Sequence, residues 1–209
     1  HLRLSGTGLT GQIQLHDIEA MENLEELDLS GNSITGFVNY NVSALPSLKY
    51  LKLADTGLTG QIQLHDIEAM ENLEELDLSD NSITGFVDYN ETMKLATRLT
   101  KLKLLDLRWN DNLGNNFLSI GSAFASLKYL TLADTGLTGQ IQLHDIEAME
   151  NLEELDLSDN NITGFVNYNE TMKLATRLTK LKLLDLSWNY NLGNNIVSIV
   201  SALPSLKHL

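Results

Sequence analysis

The 209-residue sequence contains no cysteine, two prolines and few aromatic residues, which make up 6% of the chain. Without cysteine, these residues can form no disulfide, no thiolate metal site and no cysteine nucleophile. The scarcity of proline and a hydrophobic content of 43% argue against a disordered chain. No apolar run approaches the ~20 residues that cross a bilayer.

Basic residues are also scarce. The chain has 14 Lys and Arg residues and 28 Asp and Glu residues, which gives a formal net charge of -14. An acidic surface repels phosphate backbones and anionic lipid headgroups. The composition therefore predicts no nucleic-acid binding and no direct membrane contact by these residues.

Repetition is the dominant feature of what the sequence does contain. The segment TGLTGQIQLHDIEAMENLEELDLS occurs identically at 7–30, 56–79 and 135–158. A catalytic site needs one constellation, whereas each coil of a solenoid is covered by similar neighbours. A shorter period lies inside the long one, in coils that open at Leu24, Leu48, Leu73, Leu102, Leu127, Leu152, Leu181 and Leu206.

Each coil follows the pattern L-x-x-L-x-L-x-x-N, as in LEELDLSGN from Leu24, and continues as L-x-G-x-I, as in LTGQI from Leu58. These residues resemble the leucine-rich repeat family and its plant extracellular subclass. The three-coil rhythm resembles the ectodomains of plant receptor-like proteins. The resemblance covers essentially the whole chain and implies an α/β fold, a right-handed solenoid or horseshoe with a parallel concave β-sheet and short convex helices.

Elementary geometry supports the same fold. The alternating leucines of L-x-L point into the coil and the residues between them point outward, so stacked coils form a parallel sheet with one buried face. The repeated asparagines are expected to turn inward and bond backbone groups at the bend. They are Asn32, Asn81, Asn110, Asn160 and Asn189, and the threonines Thr7, Thr56 and Thr135 take their place in other coils.

The longest coils contain ETMKLATRLTKLKLL from Glu91 and again from Glu170. Leucines at 95, 99 and 102 fall at i, i+4 and i+7, which predicts a convex helix with Thr92 as its cap. The shorter coils contain HDIEAMEN, which leaves room for about one helical turn.

Larger units begin at Leu2, Leu51 and Leu130 and span 2–50, 51–129 and 130–208. The short first unit lacks the equivalent of 91–120, and its VSALPSLK segment at 42–49 matches 200–207. This pattern indicates duplication with unequal recombination, which a solenoid tolerates because the remaining coils still stack. Since His1-Leu2 repeats His208-Leu209, we expect residues 1–209 to be a single, uncapped section of a longer array, about eight coils long and marginally stable alone.

The sequence gives little support for a catalytic site or a metal site. His16, His65 and His144 lie two and three coils apart, about 10 and 14 Å, which is too far for one zinc ion. No glycine-rich phosphate loop occurs, and Ser, His and Asp repeat in columns rather than forming one trio. The sequence therefore predicts no enzyme, no metal and no cofactor.

Acidic and aromatic residues on the outward strand positions are the better candidates. Columns containing Asp28, Glu26, Glu75 and Glu154 are expected to attract a basic partner or a cation. Exposed Trp and Tyr side chains are favoured interface anchors. The candidate ligand-binding residues of the concave face are Tyr50, Asp77, Asp80, Asp106, Arg108, Trp109, Tyr129, Asp156, Asp185 and Trp188.

Four N-x-S/T sequons, at Asn41, Asn90, Asn161 and Asn169, favour glycosylation and therefore secretion. The resemblance implies the ligand-binding section of a cell-surface receptor-like protein, on the extracellular face of the plasma membrane. Its partners would be a protein or peptide ligand with basic side chains and a co-receptor. The alternatives are a secreted leucine-rich repeat inhibitor of another protein and a structural spacer within a longer array.

Overall fold

The computed structural model describes residues 1–14, 18, 20–38, 45–63, 67, 70–87, 99–166, 177–194 and 196–209. The predicted convex helices from Glu91 and Glu170, including Thr92, lie largely outside these residues, as do His16, His65, Asn41, Asn90 and Asn169. Among the described residues, no helix is both long enough and apolar enough to cross a membrane.

Eight short parallel strands form the main sheet, as the L-x-L segments predict. Each strand pairs with the strand of the next coil, so the sheet grows by one strand per coil. The strands are β1 (Leu2–Arg3), β3 (Glu26–Asp28), β5 (Tyr50–Lys52), β7 (Glu75–Asp77), β9 (Leu104–Asp106), β10 (Tyr129–Thr131), β12 (Glu154–Asp156) and β14 (Leu183–Asp185).

The middle residue of each strand from β3 onward is a leucine that points into the coil. Leu51, Leu76 and Leu105 align across neighbouring strands and are fully buried. The leucines at the other repeat positions surround them and join one continuous hydrophobic core. Stacking therefore buries one face of the sheet and leaves the other face to solvent.

Asparagine side chains close five of the bends, as the sequence predicts. The Nδ2 group of Asn110 donates to the carbonyls of Leu78 (3.0 Å) and Leu107 (2.9 Å), and its Oδ1 accepts from the backbone of Ile83 (2.9 Å). One side chain thus bonds backbone groups of two coils. Equivalent bonds are made by Asn32, Asn81, Asn160 and Asn189.

Threonine hydroxyls close other bends, also as predicted. Thr56 donates to the carbonyl of Leu53 (2.9 Å) and Thr135 to that of Leu132 (2.8 Å), and both threonines are fully buried. Each hydroxyl forms this bond within its own coil, whereas the asparagine amide also reaches the preceding coil. The asparagine of the following coil completes the threonine bends, since Asn81 Oδ1 accepts from the backbone of Thr56 (3.2 Å).

Three additional two-stranded parallel sheets, which the sequence analysis did not predict, lie beyond the main sheet. Each joins the TGQIQ segment of one coil to the ITGFV segment of the next. The register shifts by one residue after the glycine of each TGQIQ segment. The pairs are β2 (Thr10–Gln14) with β4 (Ser33–Val38), β6 (Thr59–Gln63) with β8 (Ser82–Val87), and β11 (Thr138–Gln142) with β13 (Asn161–Val166).

The third coil of a long unit forms short helices instead of a strand at this position. These are the 3₁₀ helices Gly114–Asn116 and Leu118–Phe124 and, in the last unit, the α-helix Ile196–Val200. Phe86, Phe117 and Phe124 pack together there, with ring centroids 5.4–5.9 Å apart. The predicted single turn of the shorter coil is present as the α-helix Leu143–Glu147.

Candidate functional site

Two columns of outward side chains cross the main sheet. The first outward column contains the first residues of successive strands: Glu26, Tyr50, Glu75, Leu104, Tyr129, Glu154 and Leu183. The second outward column contains the last residues of the strands: Arg3, Asp28, Lys52, Asp77, Asp106, Thr131, Asp156 and Asp185. The columns bring together most of the predicted ligand-binding residues.

Lys52 and Thr131 interrupt the predicted column of aspartates. Like charges directly oppose one another in two pairs of the main sheet, Asp77 with Asp106 and Asp156 with Asp185. The five aspartates of this column also have a structural role. Each accepts a hydrogen bond of 2.8–3.1 Å from the backbone N–H two residues later, so these carboxylates are partly occupied within the turn.

A third column lies at the turn that follows each strand. The residue directly before the bend asparagine or threonine has a left-handed backbone, with φ between 51° and 59° in six coils. We name these exposed residues the turn column: Asp55, Asp80, Trp109, Asp134, Asp159 and Trp188. Backbone N–H groups of the first five donate to carbonyls of the next coil at 2.9–3.1 Å, which fixes the spacing of the column.

Trp109 stands 51% exposed in this column, beside a charged pair. The guanidinium carbon of Arg108 lies 5.5 Å from the centroid of its indole ring, within cation–π range. Arg108 Nε donates to Asp106 Oδ2 at 2.8 Å, and this hydrogen bond raises the pKa of the Arg108 guanidinium. The carboxylate thus holds the arginine beside the indole.

The sequence predicts that the Asp106 side chain points outward and is accessible to a ligand, but the structure places it differently. Its side chain is only 8% exposed, because the Arg108 guanidinium covers it. Asp106 is therefore paired within its own turn, and it is not itself a free acidic group.

The sister coil presents the same indole with different neighbours. Trp188 is 61% exposed and Tyr190 is 81% exposed, and their rings meet edge to face at 6.2 Å. Ser187 stands where the other coil has Arg108. Trp188 consequently has no arginine from its own coil beside it.

Asp134 and Asp159 lie in consecutive coils between the two tryptophans. Partial burial, together with the like charges of Asp111 and Asp159, raises the pKa of the Asp134 carboxyl. Within the described part of the chain, neither Asp134 nor Asp159 forms an ion pair with a cation. This stretch of the turn column therefore has uncompensated negative charge.

A depression of about 270 Å³ lies on the outward face of the last three strands of the main sheet. It spans β10, β12 and β14, and its walls include Tyr129, Asp156 and Asp185. A partly apolar concavity with acidic walls thus lies within the two outward columns of the main sheet.

Charged residues that directly precede the strands form the edge of the main sheet opposite the turn column, and they form ion pairs with one another. Lys49 Nζ lies 2.9 Å from Glu25, and Lys128 Nζ lies 3.0 Å from Glu153. Hydrogen bonds from Lys182 and Lys128 lower the pKa of Glu153 to about 2. Glutamates and lysines of neighbouring coils pair with one another along this edge, so these charged groups already have partners within the chain.

Other candidate sites from the sequence do not join this surface. His144 lies 3.0 Å from its neighbour Asp145, and its side chain is 69% exposed. No cluster of His, Cys, Asp and Glu suited to a metal ion occurs among the described residues. Of the four sequons, Asn161 is described, and it lies exposed at the start of β13.

Sequence reasoning named Asp80, Trp109 and Trp188 but missed the other members of the turn column. The omitted residues are Asp55, Asp134 and Asp159. They can be recognised in the sequence by their position, immediately before the bend Asn or Thr. The coil of Gly31 has glycine at this position, and the coils of the turn column have Asp or Trp. A tolerance of left-handed backbone by Asp is the physical basis of that pattern.

Two family models of leucine-rich repeats match parts of the chain. The one described as Leucine Rich Repeat matches residues 23–45 and 72–90, and the one described as Leucine Rich repeat matches residues 148–164. Tubulin-specific chaperone E of Mus musculus is 33% identical over 120 residues, which are 57% of this chain and 22% of the chaperone. Putative receptor-like protein 8 of Arabidopsis thaliana is 35% identical over 74 residues, 35% of this chain and 7% of that protein. The chain therefore spans less than a quarter of either relative.

Solved structures share the stacked parallel coils. The plant peptide hormone receptor RGFR1 in complex with RGF2 superposes with a TM-score of 0.61 and 28% identity, over 96% of this chain and 34% of the receptor chain. Internalin C2 of Listeria monocytogenes superposes with a TM-score of 0.64 and 22% identity, over 100% of this chain and 80% of its own. At that identity the second likeness supports the fold alone.

Proposed function

We propose that this leucine-rich repeat protein is the binding section of a cell-surface receptor-like protein and recognises a protein or peptide ligand on the outward face of its main sheet. One observation carries the proposal: two exposed tryptophans stand in a rigid, acidic column although their backbone conformation is costly for bulky residues. Such strain without burial is typical of residues that are kept for contact with a partner.

The comparisons support the kind of ligand. The RGFR1 structure contains a receptor in complex with RGF2, and two Arabidopsis thaliana receptor-like proteins share at least 35% identity with parts of this chain. No catalytic step is part of the proposal, because the matching families are repeat families and the outward residues recur in columns.

Photo-crosslinking from the main sheet tests the function. A photoreactive benzoylphenylalanine at Thr131, in the second outward column, is expected to capture a polypeptide from the secreted and cell-surface fraction. The same group at His144, on an exposed helix away from the sheet face, is the control and is expected to capture none. Trp109→Ala should abolish capture from position 131. Equal capture from both positions, or capture that survives Trp109→Ala, would contradict the proposal and favour a spacer role.

Glycosylation tests the proposed extracellular location, which a secreted inhibitor would share. We expect the parent protein, isolated from its own cells, to carry a glycan on Asn161, whose side chain is exposed at the start of β13. Peptide mapping after glycosidase treatment measures it, and Asn161→Gln is the control. Native protein with an unmodified Asn161 in the cytosol would contradict the receptor location.

A second candidate function is favoured by the identity to tubulin-specific chaperone E, which spans 57% of this chain. In that case the same face would bind tubulin, the substrate that the chaperone's name states. Co-sedimentation with purified tubulin tests it, and Trp109→Ala is again the matched variant. Binding to tubulin that depends on Trp109 would replace the receptor assignment.

A further inference from the structure

We propose that four consecutive members of the turn column, Trp109, Asp134, Asp159 and Trp188, bind an extended peptide that crosses the strands with arginines at positions i, i+2 and i+4. We name these four residues the Trp-to-Trp segment. The inference rests on the proposed function, since it specifies the ligand chemistry of the same face.

The spacing of the segment sets the spacing of the ligand. Trp109 and Trp188 are three coils apart, which is about 14 Å at the ~4.8 Å separation of neighbouring strands. An extended peptide advances ~3.4 Å per residue, so about four residues cover the same distance. Side chains at i, i+2 and i+4 of an extended peptide share one face. The outer two therefore reach the indoles, and the middle one lies between the two carboxylates.

Charge complementarity selects a basic side chain for the middle position. Asp134 and Asp159 are adjacent, exposed and without an ion-pair partner among the described residues. Partial burial, together with the like charges of Asp111 and Asp159, disfavours the ionised form of Asp134, whose pKa is raised. A cation placed between the two carboxylates relieves this repulsion and forms charge-assisted hydrogen bonds with both.

Arginine suits the outer positions because a planar guanidinium both stacks on aromatic rings and bonds carboxylates. The structure contains an internal example, in which Arg108 lies 5.5 Å from the Trp109 ring centroid while it pairs with Asp106. At the other end, the Trp188 indole has no arginine from its own coil, and Asp185 stands one column away. The depression that spans β10, β12 and β14 lies on the outward face of the coils that contain Asp134, Asp159 and Trp188.

The repeat supplies a matched control within the same chain. Asp55 and Asp134 occupy the same place in two identical stretches, 53–81 and 132–160. Asp134 lies between Trp109 and Asp159, whereas Asp55 lies between Gly31 and Asp80. Replacing either aspartate by asparagine removes one negative charge and keeps a residue that tolerates left-handed backbone. A difference between the two variants therefore reports the local site and not the net charge.

The experiment titrates the chain with two peptides of the same composition, acetylated Arg-Thr-Arg-Thr-Arg amide and acetylated Thr-Arg-Arg-Arg-Thr amide. Intrinsic fluorescence reads the site directly, because the chain contains two tryptophans and both belong to the segment. The alternating peptide is expected to bind about fivefold more tightly than the contiguous one, the size of an exposed ion pair. Asp134→Asn should weaken the alternating peptide about fivefold, and Asp55→Asn should leave its Kd unchanged.

Each of the following results would overturn the proposal. Equal affinity for the two peptides would exclude the i, i+2, i+4 spacing, and equal effects of the two asparagine variants would exclude a local site. Dimerisation of the chain that Trp188→Ala abolishes would assign the face to a second copy. If the peptide fails to bind while crosslinking from Thr131 persists, this inference fails and the proposed function stands. If both fail, the proposed function fails as well.

Discussion

At the scale of single residues, Trp109 and Trp188 each hold a backbone conformation that bulky side chains disfavour, with φ of 59° in both. A left-handed residue other than glycine costs roughly 1–2 kcal/mol, and the equivalent turns use Asp or Gly, which adopt it more readily. Burial does not offset the cost, because both indoles are more than half exposed. The contacts within the chain are those with Arg108 and Tyr190, and the proposed function adds contact with a partner.

Replacing Trp109 separates the backbone cost from the binding contribution. Trp109→Asn is expected to be about 1 kcal/mol more stable than Trp109→Ala, because asparagine tolerates the left-handed region and alanine does not. Both variants should lose the contact of the indole with a ligand. Urea denaturation measures the stabilities, and identical midpoints for the two variants would show that no backbone strain is stored at this position.

At the scale of the element, identical sequences acquire different surroundings from the coil that precedes them. Gly57 and Gly136 occupy the same place in the repeat, with φ of 78° and 74°. A Cβ on Gly136 would lie 2.2 Å from the carbonyl oxygen of Asp111, whereas a Cβ on Gly57 would meet nothing within 4 Å. The third coil of the long unit, which contributes Asp111, precedes Gly136 and is missing before Gly57.

Alanine substitution measures this difference between coils. Gly57→Ala and Gly136→Ala share a similar left-handed penalty, but Gly136→Ala also forces its Cβ against the backbone of Asp111. Gly136→Ala is therefore expected to lower the free energy of unfolding by about 2 kcal/mol more than Gly57→Ala, the cost of overpacking. Chemical denaturation of the two variants tests it. Equal destabilisation would mean that the turn at Gly136 moves away from Asp111 without cost.

The ion-pair edge makes a second prediction at this scale. Hydrogen bonds from Lys182 and Lys128 lower the folded-state pKa of Glu153 to about 2, from the ordinary value of 4.5. A carboxyl group with a depressed pKa stabilises the fold above its unfolded pKa, and this contribution is lost as the pH falls from 4.5 towards 2. The stability difference between the wild type and Glu153→Gln should therefore shrink over that range.

Thermal unfolding at several pH values measures the effect, with Glu150→Gln as the control. Glu150 lies 3.7 Å from Arg177, and both side chains are more than half exposed. The control difference should be smaller, because an exposed ion pair contributes little to stability. A Glu153→Gln difference that stays constant from pH 6 to pH 2.5 would contradict the assigned ion pairs.

At the scale of the whole molecule, the chain is a stack of coils that tolerates a unit with fewer coils. Eight strands form one main sheet although the first unit (2–50) is much shorter than the second (51–129), because each coil contacts mainly its neighbours. In the short unit, the coil that opens at Leu24 is followed directly by the coil that opens at Leu48, without an equivalent of the coil that opens at Leu102 between them. Its L-x-L strands keep the same register as those of the long units.

Deleting residues 91–120 should recreate that short junction and leave a folded chain with one strand fewer in the main sheet. The deletion removes Trp109, so binding of the alternating arginine peptide is expected to be lost while cooperative unfolding is retained. Circular dichroism and urea unfolding check the fold, and fluorescence of the remaining Trp188 checks binding. Loss of cooperative folding would show that the third coil is required for the stack.

Most of the fold was predictable, because each L-x-L segment carries its own burial pattern and each bend asparagine its own hydrogen bonds. The two-stranded sheets were not predictable from the sequence, because TGQIQ contains a glycine and its apolar and polar residues alternate weakly. This segment forms a strand by pairing with the ITGFV segment of the next coil. The candidate site was predicted in part. Trp109 and Trp188 were identified by their exposure, but Asp106 proved to be covered by Arg108.

The sequence by itself determined the solenoid, the main sheet, the bend asparagines and the acidic character of the surface, because these follow from periodicity and composition. The tertiary structure alone decided which acids remain free. Asp106 and Asp134 are both aspartates near the end of a strand, yet the first pairs with Arg108 and the second faces the like charges of Asp111 and Asp159. Asp106 is paired by a residue of its own coil, two positions later, whereas the charges around Asp134 come from the coils on either side. A repeat pattern read one coil at a time does not contain that second kind of information.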